Sequence, residues 1–190
     1  MKKLCIPLIL IVLFACNQSP KTNDTKKDTL KVLEKVPDTN LTKPADTISN
    51  DPVVKIRRAV ERINTSKTDK KHYELMCDEM MKIDYYTIND IIVKISVDFG
   101  TIGDVYAKED YYYNEGELIF KYEFVEGGPA CEGCIKTNEY RSYIKNNIVI
   151  KYLKDKDSTE CRKCEFNENA KELRLINAKS TADIKEILCK

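Results

Sequence analysis

Six cysteines downstream of residue 16 form the residue pattern with the most readable chemistry in this chain. Cys77, Cys131, Cys134, Cys161, Cys164 and Cys189 are even in number, and four of them make two C-x-x-C pairs, Cys131-Glu132-Gly133-Cys134 and Cys161-Arg162-Lys163-Cys164, with 26 residues between them. Three chemistries use such a pattern. Two knuckles of this kind supply four thiolates for a tetrahedral structural zinc site, although the spacer exceeds the roughly 15 to 20 residues usual in zinc ribbons. Six thiols also make three disulfides. A lone C-x-x-C can exchange disulfides, but a thioredoxin-type site sets its first cysteine at a helix N-terminus, where the dipole lowers its pKa. Gly127-Gly128-Pro129 and Gly133 instead make the first motif a loop. Beyond the cysteines little is catalytic in type. His72 is the single histidine and sits in a polar Lys-Lys-His-Tyr context, which reads as exposed and idle. No glycine loop of phosphate-binding form and no legible pair of general acid and base are present, so the expectation is a protein that is not an enzyme.

The compartment decides between these chemistries, and the N-terminus specifies the compartment. Met1-Lys2-Lys3 precedes an apolar run from Leu4 to Phe14 that contains Cys5, and the run is long enough for a signal peptide but short for a bilayer span. Ala15 and Cys16 close it. Leu13-Phe14-Ala15-Cys16 resembles the lipobox of bacterial lipoproteins, with Phe14 bulkier than the residue usual at its position. The resemblance implies removal of residues 1–15, a diacylglyceryl thioether on Cys16 and an acylated new N-terminus, more than one chain being needed for lasting attachment. Asn17 stands where an aspartate would retain a lipoprotein at the inner membrane, so the outer membrane is expected. No early acidic cluster follows Cys16 to direct the protein to the cell surface, which favours the periplasmic face over a surface location. Export past the inner membrane exposes thiols to an oxidising environment, and this turns the balance from zinc toward disulfides. Zinc on Cys131, Cys134, Cys161 and Cys164 stays as the alternative.

Composition bounds what the folded part can be. Loss of residues 1–15 removes two of 32 basic residues and none of 31 acidic ones, leaving a mature chain close to neutral. That excludes the basic surface of a nucleic-acid binder. Residues 16–52 are rich in Thr, Lys, Asp, Asn and Pro and read as a tether, which as a flexible coil spans about 30 to 35 Å. A single domain follows over residues 53–190.

Asp51-Pro52 caps a helix predicted over about 52–64, with Val53, Ile56, Val60 and Ile63 on one stripe. Residues 65–78 give no clear periodicity. From there period-two patterns dominate: Ile91-Ile92-Val93-Lys94-Ile95, Leu118-Ile119-Phe120-Lys121-Tyr122 and Ile148-Val149-Ile150-Lys151-Tyr152 each follow a turn signal, Asn89-Asp90, Asn114-Glu115-Gly116 or Asn146-Asn147. These make three repeated hairpins, hence an antiparallel meander of about six strands. Alternation predicts Lys94, Lys121 and Lys151 in one solvated row, ion-paired across strands. Reflection about the Asn146-Asn147 turn puts the four C-x-x-C sulfurs together at the open end of the last hairpin, with Cys77 left to pair with Cys189. Ten of eleven tyrosines lie between residues 85 and 152 and read chiefly as the aromatic bulk of the sheet, a ligand-stacking face being the alternative. A broken helical region over about 167–188, capped by Ser180 or Thr181, completes an α+β fold with helices on one face of the sheet.

The order of these parts is similar to that of uncharacterised lipoproteins of the Bacteroidota. That resemblance brings no known function; the lipobox, tether, small sheet and missing catalytic groups together lead to the expectation of a lipid-anchored envelope module that binds or occupies space, with a protein partner in the envelope and an inhibitor or immunity-type protein as one form.

Overall fold

The structure, a computed structural model, describes residues 50–189. The predicted signal peptide, Cys16 and nearly all of the tether lie outside the described residues. No described helix is long and apolar enough to cross a membrane.

Helix α1 (Pro52–Thr65) begins where the sequence places it: the Asp51 carboxylate accepts from the Val53 amide at 2.8 Å, and Pro52 occupies the first turn, where its missing N–H costs nothing. Eight described strands follow in strict chain order: β1 (Asp69–Met76), β2 (Met80–Ile88), β3 (Ile91–Ile102), β4 (Val105–Asn114), β5 (Glu117–Gly127), β6 (Lys136–Lys145), β7 (Ile148–Lys154) and β8 (Asp157–Ser158). Every neighbour is antiparallel, so the sheet is one meander. Two short helices, α2 (Lys171–Leu175) and α3 (Thr181–Leu188), end the chain, and α3 carries a capping box between Ser180 and Asp183.

The α+β class and the meander stand, but the sheet has eight strands rather than six. The first added strand is β1, within the stretch that shows no clear period: Asp69–Met76 alternates charged residues with Tyr73 and Leu75, and only the inward-facing Leu75 is fully buried. The second is β8. Asp155 and Lys156 both adopt left-handed backbone (φ 50° and 84°), turning the chain straight back onto β7. Asp155 holds the turn by giving its amide to the Glu139 carbonyl at 2.8 Å and accepting the Glu139 amide at 2.7 Å.

Helices cover both faces of the sheet, not one. On the first face Ile83, Ile95, Val97, Tyr111, Tyr113, Leu118 and Ile144 pack against Phe166, Leu175, Ile184 and Ile187 of the C-terminal segment. On the second, Tyr112, Phe120, Tyr143 and Leu153 pack against Ile56 and Ile63 of α1. The physical cause is that consecutive apolar residues, such as Ile92-Val93 and Leu118-Ile119, serve opposite faces and leave two apolar surfaces to cover. Tyrosine fills both layers. Tyr85 and Tyr113 bury their rings and send their hydroxyls to the Leu175 and Glu172 carbonyls at 3.0 and 2.6 Å, tying the sheet to α2.

Candidate functional site

Three hairpins with matching sequence put their lysines in different places. The turns Asn89-Asp90, Glu115-Gly116 and Asn146-Asn147 have φ above zero at both central residues, the geometry that matches strand twist. In each hairpin the third residue after the turn is a β-bulge, skipped by the pairing: Val93, Ile119 and Ile150. Lys94 and Lys151 come fourth after their turns, and lie opposite Tyr86 and Tyr143 on the α1 side. Lys121 comes fifth. That single residue reverses its direction, since alternation has period two, and carries it under the C-terminal segment. The predicted row of solvated lysines is therefore corrected: Lys121 is 6% exposed.

A buried ammonium must be surrounded by acceptors, because desolvating an unpaired charge costs several kcal/mol. Lys121 Nζ stands 3.0 Å from Glu172 Oε1, 3.2 Å from Glu109 Oε2 and 3.5 Å from Glu123 Oε1. Glu172 is fully buried in the first turn of α2. Its other oxygen receives Lys163 Nζ at 2.9 Å, and Glu109 receives Lys171 Nζ at 3.0 Å and the Tyr111 hydroxyl. Burial alone would raise both acids, yet Lys121 and its companion lysines hold Glu109 and Glu172 below the ordinary carboxylate value. Lys121 is held above its ordinary value despite burial, chiefly by Glu109 and Glu172. Tyr111 is driven well above a free phenol by burial and by Glu109 beside it.

The second C-x-x-C motif delivers Lys163 and a further cation, Arg162. Cys161 and Cys164 are bonded to each other, and Arg162 and Lys163 between them face the sheet. Arg162 lies 3.8 Å over the Tyr140 ring, gives Nε to the Tyr152 hydroxyl at 3.0 Å, and pairs with Glu123 at 3.2 Å. Beneath them is a cavity of about 190 Å³ lined by Lys121, Glu123, Ser142, Tyr152, Arg162, Lys163 and Phe166. Lys121, Ser142 and Tyr152 form one cross-strand row of its floor. Polar residues of three strands and a stapled loop thus line the cavity, with Glu172 of α2 behind Lys121 and Lys163. The turn-to-lysine spacing, four residues in two hairpins and five in this one, was the signal in the sequence.

The remaining predicted site residues distribute otherwise. Cys77 pairs with Cys189, joining the start of the sheet to the C-terminus, and Cys131 pairs with Cys134. The two C-x-x-C motifs do not meet. Reflection through the Asn146-Asn147 turn assumed that β7 continues beyond Lys154, whereas β8 reverses there and brings the Cys164 carbonyl to the Val149 amide at 2.8 Å. Cys131 and Cys134 lie in the loop beyond the opposite ends of β5 and β6, roughly 20 to 25 Å away along the strands. Four sulfurs so placed cannot share one zinc ion, and no group of three or more His, Cys, Asp or Glu side chains among the described residues is arranged to hold a metal. His72 is exposed on β1, as expected, but not unpartnered: Nδ1 is 2.6 Å from Asp84 Oδ1 and Nε2 is 3.4 Å from Glu74, and hydrogen bonds to Asp84 and then Glu74 raise its pKa.

Set against known protein families, curated proteins and solved structures, the chain matches none of them.

Proposed function

We propose that this chain is a lipid-anchored protein of the bacterial cell envelope whose folded domain works by binding rather than by catalysis. Cys16 is the anchor, residues 16–52 the spacer, and the outer membrane facing the periplasm the location. The observation that carries the reading is the oxidation state: every cysteine after Cys16 stands in a disulfide, as suits a chain exported behind the apolar run Leu4 to Phe14. Binding is favoured over catalysis by the direction of the shifts in the buried cluster. Glu109 and Glu172 are pushed down and Lys121 and Tyr111 up, so each moves away from neutrality, where a general acid or base must titrate.

Two measurements test this. Metabolic labelling with palmitate should mark the membrane fraction of the wild type and leave Cys16→Ala unlabelled and soluble, while thiol titration of the denatured, unreduced protein should find no free cysteine among the six. Labelling that survives Cys16→Ala, or reactive thiols in exported protein, would refute it. Cross-linking and capture from envelope fractions then tests the expected protein partner.

A further inference from the structure

The charges and donors around the cavity under the Cys161–Cys164 loop do not balance. Lys121, Arg162, Lys163 and Lys171 meet Glu109, Glu123 and Glu172, four cations against three carboxylates, so the cluster holds one positive charge in excess. Lys121 is not the spare one, since three carboxylates stand within 3.0 to 3.5 Å of its Nζ. The spare donors line the cavity. Ser142 is 2% exposed and lines the cavity. Tyr152 accepts from Arg162 Nε and keeps its own hydrogen to give. Arg162 commits Nε and Nη2 and retains Nη1, and Lys163 spends one of three hydrogens on Glu172. Phe166 supplies an apolar wall, with the Lys163 ammonium 4.5 Å from its ring centre.

We infer that this cavity binds the carboxylate of a small molecule or of a chain end, its oxygens taken by Ser142, Tyr152, Arg162 and Lys163 and its short apolar stem lying on Phe166. The excess of one charge suits a monoanion. Glu123 on the same wall repels a dianion, which disfavours phosphate. The cavity has room for only a few heavy atoms beside the carboxylate, its volume being about six water volumes. The inference rests on the binding reading above and names a ligand class for it.

The test is a proton–nitrogen NMR titration of the oxidised, exported full-length chain carrying Cys16→Ser, which needs no detergent. Sodium acetate is added at ionic strength held constant with chloride, and phosphate is titrated in parallel. Acetate should give saturable shifts at Ser142, Tyr152, Arg162 and Lys163 with a dissociation constant on the order of 1 mM, the affinity of a few net hydrogen bonds. Lys163→Gln, on a partly exposed side chain, should weaken it about tenfold, and Ser142→Ala several-fold. Shifts no larger than those of chloride, an unchanged constant in both variants, or tighter binding of phosphate than of acetate would each overturn the assignment. Such a failure is separable from failure of the binding reading, which is decided by partner capture.

Discussion

Replacing Lys121 with methionine keeps the length of the side chain and deletes its charge, and so isolates the consequence of its inward position. The native ammonium lies 3.0 to 3.5 Å from three carboxylates, each pair attracting by about 5 kcal/mol at an effective dielectric of 20. Most of that offsets the desolvation of the ions themselves. What the variant loses is the compensation, leaving fully buried Glu172 and largely buried Glu109 short of positive charge, and removal of one partner of a buried pair costs about 3 to 5 kcal/mol. The pH dependence carries a sign. In the native protein both acids are depressed, so their contribution is complete above 4.5 and is lost as pH falls through their native values. The variant takes from both acids the charge that lowers them most, so they should titrate higher than in the native protein and the deficit should shrink between pH 7 and pH 4. Urea denaturation of the oxidised protein, followed by tyrosine fluorescence at both pH values, measures this without the ionic screening of guanidinium. Lys94→Met and Lys151→Met are internal controls from the same sequence motif. Lys94 is part-buried with one carboxylate partner, Asp110 at 2.9 Å, beside the Tyr86 and Tyr112 rings, and should cost about 1.5 to 3 kcal/mol. Lys151 should lie within about 0.5 kcal/mol of the wild type. A loss below 1 kcal/mol at Lys121, equal losses at all three, or a deficit independent of pH would refute the reasoning.

Other expectations follow from the same geometry. Cys77→Ser with Cys189→Ser opens a closure of 112 residues, which the chain-entropy model weights at roughly 5 kcal/mol, against about 2 kcal/mol for either closure of 3 residues; thermal melts of the three double variants should rank that way. His72, as the single histidine, should give one NMR titration with a midpoint above 6.5, and Asp84→Asn should lower it; its contribution to the β1–β2 hairpin is present below 6.5 and fades as pH rises through the native midpoint. Gly128→Ala would drive a Cβ into the Cys134 carbonyl, so the loop carrying Cys131–Cys134 must shift, detected as amide shift changes confined to residues 127–136. Tyr113→Phe removes the hydroxyl bond to the Glu172 carbonyl and should cost about 0.5 to 1.5 kcal/mol in urea.

Local features were legible before any fold was known. Asp51-Pro52 starts α1, Ser180 caps α3, and the Asn-Asp, Glu-Gly and Asn-Asn pairs turn three hairpins, because caps and two-residue turns depend on side chains within a few positions of one another. β1 and β8 escaped the same reading. The one is half exposed and charged, and the other is two residues long, formed only because left-handed Asp155 and Lys156 fold it onto β7.

By itself the sequence determined the parts whose causes are short-range: the helices, the turns, the antiparallel meander and a cysteine count suited to disulfides. Only the tertiary structure decided how the C-x-x-C cysteines pair, that both sheet faces are covered, and that Lys121 differs from Lys94 and Lys151. The reason is the period of the strand. One bulge, or one residue more between turn and lysine, sends a side chain to the opposite face, and what waits there, α1 or the stapled Cys161–Cys164 loop above Glu172, is set by chain many residues away.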